Sequence, residues 1–258
     1  MPIITITTDS GNGSIYLAQL KGLILSKIGD ANLVEINTQI EPYNLKTAAF
    51  ILKNSYKSFP PGTIHIVDID SSLRLHKRYL VLDFEGHYFL SADNGFFSLL
   101  NEGKAASCYE VKNLDSGRFR FEAFAKVCMW LMDGIAKHPE FEKVESIKGF
   151  TPMKLVTTEN KITGNIVYVD HYGNCISNIS RQAIADIGKG RPFGIQFPRF
   201  DEIDVISEYY SDVSSGDVLC RINENGLLEI AMNKGNASLL LGLKVGILIS
   251  IEFKNDLA

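Results

Sequence analysis

Ten residues, Asp170-His171-Tyr172-Gly173-Asn174-Cys175-Ile176-Ser177-Asn178-Ile179, put a carboxylate, two carboxamides and a turn glycine directly behind an apolar run. That run, Gly164 to Val169, has the β-branched and aromatic content of a strand, so Asp170 and Asn174 are expected to flank a tight Gly173 turn at its mouth. Such a turn can present an acceptor and an amide to one ligand, or spend both on its own backbone as Asx motifs. A second candidate is the loop Asp9-Ser10-Gly11-Asn12-Gly13-Ser14, at the carboxyl end of an alternating strand from Ile3 to Thr8. Open α/β sheets bind ligands at such edges, and the two glycines allow close backbone approach. The spacing Gly11-x-Gly13 lacks the third glycine of a dinucleotide fingerprint, and no Gly-Lys-Ser/Thr follows. A carboxylate here suits a vicinal diol, because it accepts from both hydroxyls; alternatively, Asp9 or Asn12 caps the next helix.

The elements that must hold these residues follow from periodicity. After the first loop, an apolar-periodic helix runs from Ile15 to Ile28, followed by a strand near Leu33 to Ile36, a helix from about Asn44 to Tyr56 and a strand from Thr63 to Asp70. This order predicts an α/β sheet with parallel strands. Tyr79 to Asp83 and His87 to Leu90 read as strands joined through Glu85-Gly86, which makes the sheet mostly parallel but mixed. A helix from about Phe121 to Ala136 carries apolar residues at the spacing of one packed face. Beyond Lys137 helical patterns nearly vanish, and short strand-like segments (164 to 170, 192 to 197, 218 to 222, 227 to 233 and 245 to 253) predict a smaller antiparallel β-barrel or sandwich. The expected division is an N-terminal α/β domain over 1–150 and a C-terminal barrel domain over 160–258.

Composition narrows the function. The 258 residues are 45% hydrophobic and 22% charged, with a formal net charge of -4 and no dense Lys/Arg run. That is an ordinary globular composition without the electrostatic footprint of a nucleic-acid or membrane surface, so a small-molecule ligand is expected. Cys108, Cys128, Cys175 and Cys220 are widely spaced with no C-x-x-C, fitting neither a zinc cluster nor a disulfide framework. They read as reduced thiols of a cytoplasmic protein. No export signal, membrane span or metal-ligand spacing is visible.

Several segments together resemble one family. Thr8-Asp9-x-Gly11 with Lys21-Gly22, Ile40-Glu41-Pro42-Tyr43 with Ala48-Ala49-Phe50, Phe59-Pro60-Pro61-Gly62-Thr63-Ile64-His65, Asp93-Asn94-Gly95, Asp170 to Asn174 with Ser177-Asn178-Ile179, and Asn223 to Ala237 are similar, in order and over almost the whole chain, to the S-adenosylmethionine (SAM) hydroxide adenosyltransferases, relatives of fluorinase and chlorinase. The resemblance implies a homotrimer with SAM as substrate or ligand between neighbouring subunits, and no cofactor or metal. It assigns Asp9 to the ribose, Tyr43 to the pocket wall, Asp170 to the methionine ammonium, Asn174 to the adenine and the segment around Asn233 to the adenine edge. The implied chemistry is in-line displacement at the ribose 5′ carbon with neutral methionine leaving, for which the site must orient the nucleophile and exclude competing water.

The departures cluster at the nucleophile. Where hydroxide-transferring members carry D-P-G-V-G-T-x-R-R, this chain reads Asp70-Ser71-Ser72-Leu73-Arg74-Leu75-His76-Lys77-Arg78. By the resemblance Asp70 orients the water and Lys77 supplies nearby positive charge, with Arg78 able to shift in. The family's F-H-G-R-D aligns with Arg118-Phe119-Arg120-Phe121-Glu122, so Phe119 replaces the histidine of the water-binding triad. Ser14 stands where a second ribose carboxylate is expected and Glu224 where halogenating members have serine. Arg118 or Arg120 could pair with Asp70, or only cap and solvate the helix start. His76 lies close to Asp70 in the chain and could replace the lost histidine, but a histidine in a polar loop is expected to be exposed; His65 is expected to be packed, and His171 to shape its turn. Three functions stay open: hydrolysis of SAM to adenosine and L-methionine, non-catalytic adenosyl or nucleoside binding, and a pocket retuned by Ser14 and Glu224 to a different adenosyl or nucleoside ligand.

Overall fold

The computed structural model describes residues 1–76, 78–114, 120–151 and 153–254, with Leu73 and Arg74 described by their backbone alone. The chain divides into two compact units, Met1–Pro152 and Met153–Ala258.

In the first unit seven strands form one sheet: β1 (Ile3–Thr8), β2 (Asn32–Asn37), β3 (Ile64–Asp68), β4 (Tyr79–Phe84), β5 (His87–Ala92), β6 (Ser107–Val111) and β7 (Phe141–Val144), in the order β2-β1-β3-β5-β4-β6-β7. The junctions of β1 with β2, β1 with β3 and β3 with β5 are parallel, whereas β4 with β5, β4 with β6 and β6 with β7 are antiparallel. The sheet is mixed, as expected, but parallel pairing does not dominate it. The cause is local. Glu85 and Gly86 both take positive φ, 48° and 81°, the two-residue hairpin geometry that forces β4 and β5 antiparallel.

Alternation along the strands feeds two apolar layers. Ile4, Ile6, Ile64 and Ile66 face α1 (Ile15–Lys27) and α5 (Arg120–Asp133), while Val67, Leu80, Leu82 and Phe89 belong with α2 (Leu45–Lys53) and α4 (Phe96–Asn101). The short α3 (Leu73–His76) follows β3. Because β2 and β3 lie on opposite sides of β1, the chain reverses its winding there, and the carboxyl ends of β1 and β3 open onto a switch point where α/β sheets place ligands.

The second unit contains β8 (Val156–Thr157), β9 (Lys161–Val169), β10 (Cys175–Ser180), α6 (Arg181–Gly188), β11 (Phe193–Gln196), β12 (Ile206–Ser207), β13 (Val218–Ile222), β14 (Leu227–Met232), α7 (Ala237–Leu241) and β15 (Leu248–Phe253). Its sheet runs β11-β15-β9-β10-β14-β13-β12 with β8 on β9, curled around Ile162, Ile166, Leu228, Ile230, Ile249 and Ile251. The sheet is a curled half-barrel, and the expected antiparallel barrel is not confirmed: among the described residues no ladder joins β11 to β12, and β12 pairs with β13 in parallel. Two helices also appear where almost none was expected. Ser180 Oγ accepts from Ala183 N at 3.1 Å and Asn236 Oδ1 from Leu239 N at 2.8 Å, starting α6 and α7 by capping, and neither helix is long enough for its periodicity to declare itself.

No helix among the described residues is long and apolar enough to cross a membrane. The four cysteines are free and buried. Burial pushes the Cys108 thiol up to about 11 and the Cys175 thiol up to about 12, which suppresses the reactive thiolate at neutral pH.

Candidate functional site

At the switch point Thr8 of β1 pairs with Asp68 of β3, so Asp9 leaves the sheet one residue, and Asp70 two residues, beyond the same rung. Asp9 Oδ2 accepts from the backbone N–H of Tyr43 at 2.9 Å. Tyr43 itself sits at φ 66° with its ring exposed, just before Asn44, whose Oδ1 caps α2 through Thr47 N at 3.0 Å. The fold therefore brings Asp9 and Tyr43 together at the sheet edge. Neither Asp9 nor Asn12 caps α1: Ser14 does, with its Oγ accepting from Tyr16 N at 3.1 Å. That bond engages the hydroxyl that the sequence placed at the ribose.

Asp70 is held in a left-handed backbone conformation, φ 41°, which costs a non-glycine residue strain and persists only where the surroundings impose it. The buried Asn94 imposes it here. Its Nδ2 donates to Ile69 O at 2.8 Å and Asp70 O at 3.4 Å, while its Oδ1 accepts from Phe96 N at 3.1 Å. The Asp70 carboxylate is thereby aimed at His76: Oδ2 lies 3.1 Å from Nε2. The expectation of an exposed His76 is overturned, since its side chain retains only 5% of its accessible surface. One helical turn, with His76 N bonded to Ser72 O at 2.9 Å, folds the imidazole back over the strand end.

Asp68 escaped the sequence reading. It is buried at the end of β3 and needs compensation, which Arg120 Nε supplies at 3.1 Å and Ser71 Oγ supplies on the same Oδ1. The guanidinium also stands 4.3 Å above the Phe121 ring and 5.8 Å from that of Tyr16. Arg120 thus pairs with Asp68 and not with Asp70. An acid at the last position of an otherwise apolar strand was the available signal. Arg78 does not move into the site either: it binds Asp93 Oδ2 through Nε at 2.9 Å and Nη2 at 2.7 Å, and Ser146 O at 2.8 Å. Lys77, Arg118 and Phe119 lie outside the described residues.

In the second unit the predicted turn joins β9 to β10, with Gly173 at φ 84°. Asp170 Oδ1 accepts from Tyr172 N and Asn174 N, both at 2.9 Å, and Oδ2 accepts from Asn174 Nδ2 at 2.9 Å. Asp170 and Asn174 are brought together, and of the two readings of this turn the Asx arrangement is present: both carboxylate oxygens are engaged within it. The Asn174 backbone carbonyl accepts from Asp170 N at 3.0 Å and closes the turn. Residues from Cys175, for which no strand was expected, form β10, with Cys175, Ser177 and Ile179 buried.

Asn233 uses its Nδ2 to bind Val213 O at 2.8 Å at the rim of an open groove of about 1220 Å³. The groove also holds Arg221, which reaches Glu224 Oε1 at 3.1 Å and the Tyr210 hydroxyl at 3.1 Å, the latter donating to Glu229 Oε1 at 2.7 Å. Burial raises the Glu229 carboxyl above its ordinary value, opposed by the Tyr210 hydrogen bond and the Arg221 charge. Sequence reasoning passed over Tyr210, Arg221 and Glu229, because each partner comes from a different segment. Among the described residues no group of three His, Cys, Asp or Glu is placed to hold a metal ion.

Residues 4–138 match the family described as the SAM hydroxide adenosyltransferase N-terminal domain, and residues 164–250 match its C-terminal domain. The chain is 24% identical to an (R)-S-adenosyl-L-methionine hydrolase of Methanocaldococcus jannaschii over 94% of its own length and 93% of that protein. It is 23% identical to a fluorinase of Actinopolyspora mzabensis, with 97% of each chain covered. A crystal structure of an uncharacterized conserved protein from Thermotoga maritima is similar with a TM-score of 0.86 and 26% identity, over 96% of this chain and 99% of that one.

Proposed function

The chain belongs to the SAM hydroxide adenosyltransferase family, and from that membership we propose that it binds SAM and hydrolyses it to adenosine and L-methionine. One observation carries this reading: Asp9 and Asp70 leave adjacent parallel strands at the same edge, and Asn94 holds Asp70 in a strained, preorganised conformation. Asp9 accepts from the ribose hydroxyls beside the Tyr43 ring, and Asp70 orients the attacking water. Lys77 adds positive charge in its neighbourhood. Asn174 reads the adenine, Asp170 takes the methionine ammonium, and the segment around Asn233 meets the adenine edge. The water oxygen bonds to the ribose 5′ carbon as the bond to sulfur breaks. The electron pair returns to sulfur, so methionine leaves neutral and needs no acid. Halide transfer is disfavoured, because the Asp70 charge repels an incoming anion. The active species in this reading is a cytoplasmic homotrimer.

The second reading, adenosyl binding without turnover, draws on the engagement of Arg120 by Asp68, which withholds one arginine from the water site. A chromatographic time course of the purified protein with SAM separates the two. Adenosine and methionine rising together in proportion to protein supports hydrolysis. Intact SAM, with binding detected by calorimetry, supports the non-catalytic reading, and absence of both rejects SAM as the ligand.

A further inference from the structure

We propose that His76 is the general base of this site, taking the place of the histidine that the family carries ahead of α5 and that this chain replaces with Phe119. The inference rests on the hydrolytic reading above and deepens it.

Three features of the structure converge on His76. The first is the pairing itself: the Asp70 carboxylate accepts from Nε2 at 3.1 Å, which fixes the proton on Nε2 and leaves Nδ1 as the acceptor. The second is burial. An imidazole with 5% of its side chain accessible, beside a carboxylate, is a positioned group and not a solvated loop residue. The third is the disposal of the competing charges. Arg120 is committed to Asp68, and Arg78 to Asp93 and Glu110, so among the described residues His76 is the group paired with Asp70. The strained backbone of Asp70, clamped by Asn94, then serves to aim one carboxylate oxygen at one ring nitrogen.

The chemistry closes. Water attacks the ribose 5′ carbon, the carbon–sulfur bond breaks toward sulfur, and the proton released by the water passes to His76 Nδ1. Asp70 stabilises the imidazolium until the proton returns to solvent. The net reaction converts SAM and water to adenosine, methionine and one proton. Asp70 Oδ2 holds the tautomer and orientation of the imidazole, and its second oxygen is left for the water that Asp70 orients in the reading above.

The test uses the full-length protein and three variants, H76A, H76N and D70N, measured for SAM turnover and for SAM binding by calorimetry. H76A and H76N are expected to lower kcat by roughly a hundredfold or more with KM within about twofold, and added imidazole is expected to restore part of the H76A rate. Rescue by imidazole is the readout that a purely structural role does not produce. A wild-type rate retained within about threefold in H76A, or a loss in H76A with unchanged melting and no imidazole response, overturns the assignment of His76 while leaving SAM hydrolysis intact. Wild-type protein that binds SAM without forming adenosine overturns both, so the two failures are distinguishable.

Discussion

Arg120 binds Asp68 through Nε at 3.1 Å and not Asp70, two residues further on, and that offset leaves the Asp70 carboxylate to His76. Asp68 is 3% exposed, so removing the cation strands a buried charge. Arg120→Met is expected to destabilise the protein by about 1–3 kcal/mol, the guanidinium's partial exposure screening the pair below the cost of a fully buried one. Chemical denaturation of this variant checks it, and an unchanged midpoint would mean that Ser71 alone compensates Asp68.

Ser14 caps α1 with the oxygen that the sequence assigns to the ribose. Ser14→Ala is therefore expected to cost about 1 kcal/mol of stability, the usual loss of a capping hydroxyl. Its SAM dissociation constant should stay within about threefold of wild type. A large loss of affinity with unchanged melting would reverse this assignment and restore Ser14 to the ligand.

Acid should weaken the N-terminal unit through two buried histidines. His65 is fully buried, stacked on Phe89, with Nδ1 2.7 Å from Thr5 Oγ1 and Nε2 3.3 Å from His87 Nδ1. Burial, then the His87 charge, lowers the His65 imidazole to about 3, and burial lowers His87 as well. The unfolded chain, with histidines near 6.5, binds more protons than the folded one between those values. The His65 stabilisation is complete above about pH 6.5 and is lost as pH falls toward 3, at up to about 1.4 kcal/mol per pH unit, and His87 acts in the same direction. Denaturation midpoints measured from pH 7.5 to 4.5 should fall more steeply for wild type than for His65→Asn, and equal slopes would refute the account.

Gly173 is irreplaceable for two separate reasons. Its φ of 84° strains any L side chain, and a Cβ there would collide with the Asn236 amide that starts α7. Gly173→Ala is expected to lower stability by at least about 1 kcal/mol and to disturb the Asp170–Asn174 turn, since Gly173 O also accepts from Ser238 N at 2.9 Å. Calorimetric titration with SAM should show weakened binding in the folded variant, and native affinity would separate the turn from the ligand.

Much of the fold was legible because it follows from local rules. Alternation announced β1, the bounding turns Pro60-Pro61-Gly62 and Glu85-Gly86 announced β3, β4 and β5, the spacing of Phe121, Phe124, Cys128 and Leu131 announced the inner face of α5, and Gly173 announced the turn after β9. β10 was hidden because its buried face mixes Cys175 and Ser177 with Ile179, a pattern that reads as a polar loop until Ser177 Oγ finds Leu228 O at 2.9 Å. The parallel share of the first sheet was overstated because β6 and the edge strand β7, both antiparallel, carry too little alternation to be seen.

By itself the sequence determined the strand–helix order of the first unit up to β5, the family resemblance and the concentration of its departures around Asp70, all of which depend on residue type and short spacing. Only the tertiary structure decided the pairings. Arg120 meets Asp68 across 52 positions of chain, and His76 is buried because a single turn of α3 folds it over the end of β3. An ion pair or a buried imidazole depends on which backbone segments approach within a few ångströms, and that is set by the sheet and its packing, not by the neighbours of either residue in the chain.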